Sequence, residues 1–97
     1  MHDVIVLYNK PSSPEGFNEH YQKTHVPLVH KLPNLREFSW GTTADADAAY
    51  YMVARLTYAS AEDAAASLDS AQGRESVDDL ANFADAGVTV LNVRRNG

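Results

Sequence analysis

The chain has 97 residues, with eight Lys plus Arg against 13 Asp plus Glu, a net charge of −5 and no cysteine. A chain of this size makes one small domain over residues 1–97, with little core to spare, so a second copy has much to offer it. The missing Cys excludes disulfides, thiolate zinc sites, iron–sulfur clusters and a cysteine nucleophile, and the acidic balance excludes nucleic acid as an expected partner, because phosphate contacts need clustered Lys and Arg.

Val4-Ile5-Val6-Leu7-Tyr8 is short, apolar and β-branched, and it ends at Asn9-Lys10-Pro11-Ser12-Ser13-Pro14, so it reads as a strand running into a turn. The run is too short for an export signal or a membrane span and has no basic residue before it, which gives the expectation of a cytoplasmic protein without a membrane partner. From Pro14 the period changes. Phe17, Tyr21, His25, Leu28 and Leu32 fall on one helix face, with Ser13 as N-cap, Pro14 at the first helical position and Glu15 in the first turn. This helix is expected from Pro14 to Lys31 with a kink at Pro27, which cannot donate to the carbonyl of Lys23.

Leu35–Thr43 is expected as a second strand, and Tyr50–Tyr58 as its hairpin partner across a polar loop containing Asp45 and Asp47. Ser60-Ala61-Glu62-Asp63 has capping-box character and precedes an Ala-rich helix expected to end near Gln72-Gly73. Ser76-Val77-Asp78-Asp79 looks like a second cap, opening a shorter helix through Leu80 and Phe83 to Gly87. Val88–Val93 is the last strand. The order is that of an α+β, ferredoxin-like βαββαβ fold with a four-stranded antiparallel sheet.

Helices cover only one face of such a sheet, yet both faces are apolar. Val4, Val6 and Tyr8 oppose Ile5 and Leu7; Met52, Ala54 and Leu56 oppose Tyr51 and Val53; Val88 and Val90 oppose Leu91 and Val93. The uncovered face therefore calls for the same face of a second copy, giving a homodimer packed sheet to sheet as a dimeric α+β barrel.

His25 is the polar residue in the apolar helix stripe. It is either a structural histidine bonded to backbone or a neutral imidazole in an apolar pocket, able to act as acid, base or donor. His20 and His30 lie five residues either side, about 140° around an α-helix from His25, so no metal site is expected. Tyr21 and Trp40, apolar bodies with polar tips, are expected near a pocket, with Phe17, Leu28, Met52 and Phe83 completing its lining. No phosphate loop, Ser-His-Asp set or paired catalytic carboxylates is present as a motif.

The stretch Phe17-Asn18-Glu19-His20-Tyr21-Gln22-Lys23-Thr24-His25-Val26-Pro27-Leu28-Val29, followed by Leu32-Pro33, resembles the EthD domain family, associated with ethyl tert-butyl ether degradation clusters. Gly73-Arg74, Asp79-Leu80-Ala81-Asn82-Phe83-Ala84 and Gly87-Val88-Thr89 resemble its second half. The resemblance implies a dimeric α+β barrel and places His25 on the family's characteristic histidine; where the family often has Tyr-Trp, this chain has Tyr21-Gln22. Proteins sharing the barrel include cofactor-independent monooxygenases, isomerases, dehydratases and haem-handling proteins, so the fold does not choose a reaction. The leading expectation is a small apolar or aromatic ligand, no cofactor, and His25 as acid or base in an oxygenase, isomerase or dehydratase. A non-catalytic accessory to a partner oxygenase and a haem protein with His25 as axial ligand stay open beside it.

Overall fold

The alternating side chains of the first strand sort two layers. In the computed structural model, which describes all of Met1–Gly97, β1 (His2–Tyr8) turns Val4, Val6 and Tyr8 toward the helices and Asp3, Ile5 and Leu7 away from them. β2 (Glu37–Thr42), β3 (Met52–Tyr58) and β4 (Val88–Arg94) complete an antiparallel sheet of order β2-β3-β1-β4. The register pairs Val4 with Leu56 and Asn92, and Val6 with Ala54 and Val90, so the helix-facing rows of three strands line up. Phe38 and Trp40 of β2 lie opposite Leu56 and Ala54 and join that face.

Ser13 caps α1 (Pro14–His20), accepting from the N–H of Gly16, and Pro14 occupies the first turn as the sequence predicts. The expected kink at Pro27 takes a different form. Tyr21–His25 is a π-helical turn, closed by Val26 N–H donating to the carbonyl of Tyr21, and α2 (Val26–Val29) continues from it. Pro27 follows at once and brings no N–H to the ladder, so the departure from α geometry falls in the turn before it. Chain reversal beyond α2 uses Asn34 in the left-handed region, φ 65°.

On the second half, Ser60 caps α3 (Ala61–Asp69) by accepting from Asp63 N–H, as expected, but the break between the two helices is not where the sequence suggests. It falls at Ser70, which caps α4 (Ala71–Phe83) by accepting from Gly73 N–H. Gly73 thus lies in the first turn of α4 rather than ending α3, and a Cβ there would come within 2.4 Å of the carbonyl oxygens of Ser67 and Leu68. The stretch Ser76-Val77-Asp78-Asp79 is interior to this continuous helix. Its Ser76 hydroxyl donates to the carbonyl of Gly73, and its Asp79 is 6% exposed.

The core lies between sheet and helices: Tyr8, Phe17, Tyr21, Met52, Leu56, Tyr58 and Phe83 are all buried there. Facing away from the helices, Leu91 and Val93 remain 45% and 40% exposed, and Ile5, Leu7 and Val53 are partly so. One end of that open face is polar. Asp3 accepts from both Arg95 and Thr57 at 2.7–2.9 Å, with Arg55 at 3.8 Å. No helix is long and apolar enough to cross a membrane.

Candidate functional site

A cavity of about 100 Å³ lies between the sheet and the helices, lined by 15 residues of which 13 are hydrophobic. Val4 and Val6 form part of its floor, Val29 and Leu80 part of its helix wall, and Tyr21 and His25 project from the π-helical turn. Two polar atoms matter in this apolar space. The Tyr21 hydroxyl is fully buried and has no hydrogen-bond partner. The His25 ring, 5.5 Å from that of Tyr21, uses Nδ1 on Asp79 at 3.0 Å and keeps Nε2 free.

The tautomer of His25 follows from its partner. An ionised carboxylate only accepts, so Nδ1 carries the proton and Nε2 keeps its lone pair. Burial disfavours the charge on Asp79, but N–H groups of Asn82, His20 and His25 outweigh it and hold the carboxyl below its ordinary range. Burial of His25 lowers its pKa more than the bond to Asp79 raises it, so the imidazole is neutral near pH 7. Desolvation raises the pKa of Tyr21 and of Tyr8, whose charge Asp79 would also oppose, and both phenols stay protonated. The site therefore holds the protonated phenols of Tyr21 and Tyr8 and one basic imidazole nitrogen in a water-poor, apolar space.

Asp79 is the residue that sequence reasoning missed. Its partners stand 54 and 59 positions away, and its own neighbourhood has the composition of a helix start. The second surprise is His20, whose Nε2 lies 2.8 Å from the other oxygen of Asp79. In a regular α-helix residues five apart diverge, which is why the sequence separates His20 from His25. The i→i+5 closure of the π turn brings them back to one side. They meet on the carboxylate of Asp79, and no group of three or more His, Cys, Asp or Glu is arranged to hold an ion.

The other expected lining residues have different places. Phe17, 3% exposed, stacks on the far side of Tyr21 with centroids 6.0 Å apart, and Met52 is wholly enclosed in the core. Phe83 packs against His25 at 4.8 Å and His20 at 5.1 Å, behind the cavity wall. Trp40 touches the Tyr21 ring edge-on at 5.0 Å on the helix-facing side of β2 but stands 38% exposed there. Leu28 faces a shallow groove beside Arg74 and Asp78. None of these five lines the cavity; a helical or strand period locates the inward face but not the gap within it.

An EthD domain model matches residues 9–87, which includes Tyr21, His25 and all of the Asp79 contacts. The chain belongs to the EthD family. An uncharacterised 11.0 kDa protein from the thcB-thcC intergenic region of Rhodococcus erythropolis is 37% identical to it, covering 94% of this chain and 91% of that one. The crystal structure of an EthD family protein from Bacillus halodurans superposes with a TM-score of 0.93 at 26% identity, over 99% of each chain. A dimeric ferredoxin-like protein of unknown function from Thermobifida fusca shares the fold at a TM-score of 0.76 and 15% identity, over 97% of this chain and 90% of that one. With the EthD assignment and the sheet order, the ferredoxin-like βαββαβ fold expected from the sequence stands.

Proposed function

We propose that this EthD protein binds a small apolar or aromatic molecule carrying one hydroxyl or enolisable carbonyl, and that His25 moves a proton on it. The observation that carries the reading is the pairing of an unpartnered Tyr21 hydroxyl with the free Nε2 of a buried, Asp79-oriented His25 in an otherwise apolar cavity. A phenolic or enolic oxygen accepts from Tyr21 while its proton goes to His25, and the apolar surroundings exclude competing water. Deprotonation of that kind starts isomerisation, dehydration and cofactor-independent oxygenation alike. The cavity volume favours a small molecule over a porphyrin, which would need the helices to part.

The same reading includes a homodimer through the open sheet face. Apolar Ile5, Leu7, Val53, Leu91 and Val93 in one exposed layer support it, as does the dimeric state named for the Thermobifida neighbour. Leu91→Arg is expected to give monomers in analytical ultracentrifugation; a dimer undisturbed by that charge places the contact elsewhere.

Native mass spectrometry of protein purified from its own host, repeated after denaturation, tests ligand and assembly together. A dimer releasing a small phenol, ketone or lactone supports the reading and supplies an assay compound. With that compound, His25→Gln is expected to keep fold and dimer and to lose about 10²–10⁴-fold in turnover. Undiminished turnover removes His25 from the chemistry. Binding without any turnover in the wild type points to the accessory role instead.

A further inference from the structure

Asp79 alone does not explain how its own carboxylate is held, because a single bond to His25 leaves it free to rotate about its last torsion. Three donors converge on it. His25 Nδ1 lies 3.0 Å from Oδ2, while His20 Nε2 at 2.8 Å and Asn82 Nδ2 at 3.0 Å both reach Oδ1. His20 has a side chain 27% exposed, against 6% for both Asp79 and His25, so it stands between the buried pair and solvent. Phe83 packs under both imidazoles, nearly parallel to His20 at 21°, and limits their tilt.

We infer that His20 is a positioning residue for the site: by donating Nε2–H to Oδ1 of Asp79 it fixes Oδ2 on His25 and thereby holds His25 in the Nδ1–H tautomer, with its lone pair in the cavity. The inference rests on the proposed function of His25 but concerns the tautomer, which is measurable without any ligand. The π-helical turn is part of the device. Only the widened turn lets two histidines five residues apart share one carboxylate, and π turns inserted in α-helices recur at functional sites for such re-aiming.

The arrangement makes an unusual demand on the two rings. Because the carboxylate can only accept, His20 must be the Nε2–H tautomer and His25 the Nδ1–H tautomer. Neither imidazole is hydrogen-bonded to any acceptor but Asp79, and the Tyr8 and Tyr21 phenols nearby are held protonated. Arg74, Glu75 and Asp78 line the outer groove beside Asp79, and Lys23 is engaged with Glu19 at 3.2 Å on the exposed face of the first helix.

Imidazole nitrogen shifts of ¹⁵N-labelled protein, in mildly alkaline buffer where free imidazole is neutral, read this directly. The wild type is expected to show opposite tautomers, His20 protonated on Nε2 and His25 on Nδ1. His20→Leu is expected to turn the single His25 tautomer into a mixture and to speed exchange of its Nδ1 proton about tenfold, the value of one hydrogen bond to a charged acceptor. His20→Gln, whose amide still donates, restores the wild-type pattern. A His25 ring that stays a single Nδ1–H tautomer in folded His20→Leu overturns the inference and leaves the His25 proposal standing. Should His20→Leu not fold, the wild-type spectrum decides alone: His20 found as the Nδ1–H tautomer overturns it. Loss of turnover in His25→Gln tests the other reading separately.

Discussion

Two buried carboxylates lie on opposite faces of the same sheet and differ in the company they keep. Asp3, 4% exposed on the open face, is held by the guanidinium of Arg95 and the hydroxyl of Thr57; Asp79, 6% exposed on the helix face, is held by two imidazoles and an amide. In both cases burial opposes the charge and the donated hydrogen bonds outweigh it, so both carboxyls sit below their ordinary range. The difference is in what the partners can do. A guanidinium is a permanent charge with donors only, so the Asp3–Arg95 cluster is a fixed clasp between two distant segments of the chain. Among the partners of Asp79 is the imidazole of His25, a group able to accept and release a proton, and it opens onto a cavity. The acidic group is the same, but only the second cluster has the means for chemistry.

The largest expected contrast is in stability. Asp79→Leu strands the neutral, buried His25 Nδ1–H without its acceptor and is expected to cost about 2–3 kcal/mol. Asp3→Leu releases Arg95 and Arg55, whose side chains are 34% and 56% exposed and can turn to water, for about 1 kcal/mol in the isolated protomer. Urea unfolding under conditions that keep the protein in one oligomeric state compares the two. Equal losses would mean that the open face is as buried as the helix face, which is the signature of a dimer that buries Asp3; repeating the measurement on monomeric Leu91→Arg then separates the terms.

Acidification sharpens the same contrast. His25 has a folded pKa below its unfolded value of 6.5, so the unfolded chain takes up its proton first and stability is lost as pH falls from that value. Asp79 and Asp3 are also depressed, from 3.8, so their contribution is complete above that value and goes only as pH falls below it. Between about pH 8 and about pH 5 the slope should therefore belong to the Asp79 cluster. Arg95→Leu is expected to leave that slope in place, and His25→Gln to flatten it. A slope that survives His25→Gln assigns it to another group.

How far these clusters were legible follows from the range of their contacts. Ser13-Pro14, Ser60 and the alternation of β1 act through neighbours in the chain, and the element order and the inward placement of Tyr21 and His25 are readable from them. Asp79 is not, since its role depends on a helix 54 residues away and its local sequence Ser76-Val77-Asp78-Asp79 has the composition of a cap. The α-helical period also gives the wrong answer for His20, because one π-helical turn leaves no periodic trace in a five-residue segment. Gly73 illustrates the same limit: a glycine read as a helix end is required instead by carbonyls 2.4 Å from where its Cβ would be.

The smallest expected effect has the opposite sign. Tyr21 contributes its ring to the core, touching Tyr8, Phe17, Trp40 and Phe83, while its hydroxyl is buried with nothing to bond. Tyr21→Phe keeps those ring contacts and removes the unpaired group, so the protein should become more stable by about 0.5–1 kcal/mol. The same change removes the unpartnered donor that a ligand oxygen would meet beside His25, and affinity for a probe such as p-cresol should fall about tenfold. Calorimetric titration and urea unfolding on one pair of proteins measure both. Stability and binding moving in opposite directions marks a hydroxyl retained against the interest of the fold, which is what a binding site requires of it. If Tyr21→Phe destabilises instead, the hydroxyl has a bound water as partner, and the cavity is a hydrated core defect rather than a place made for a ligand.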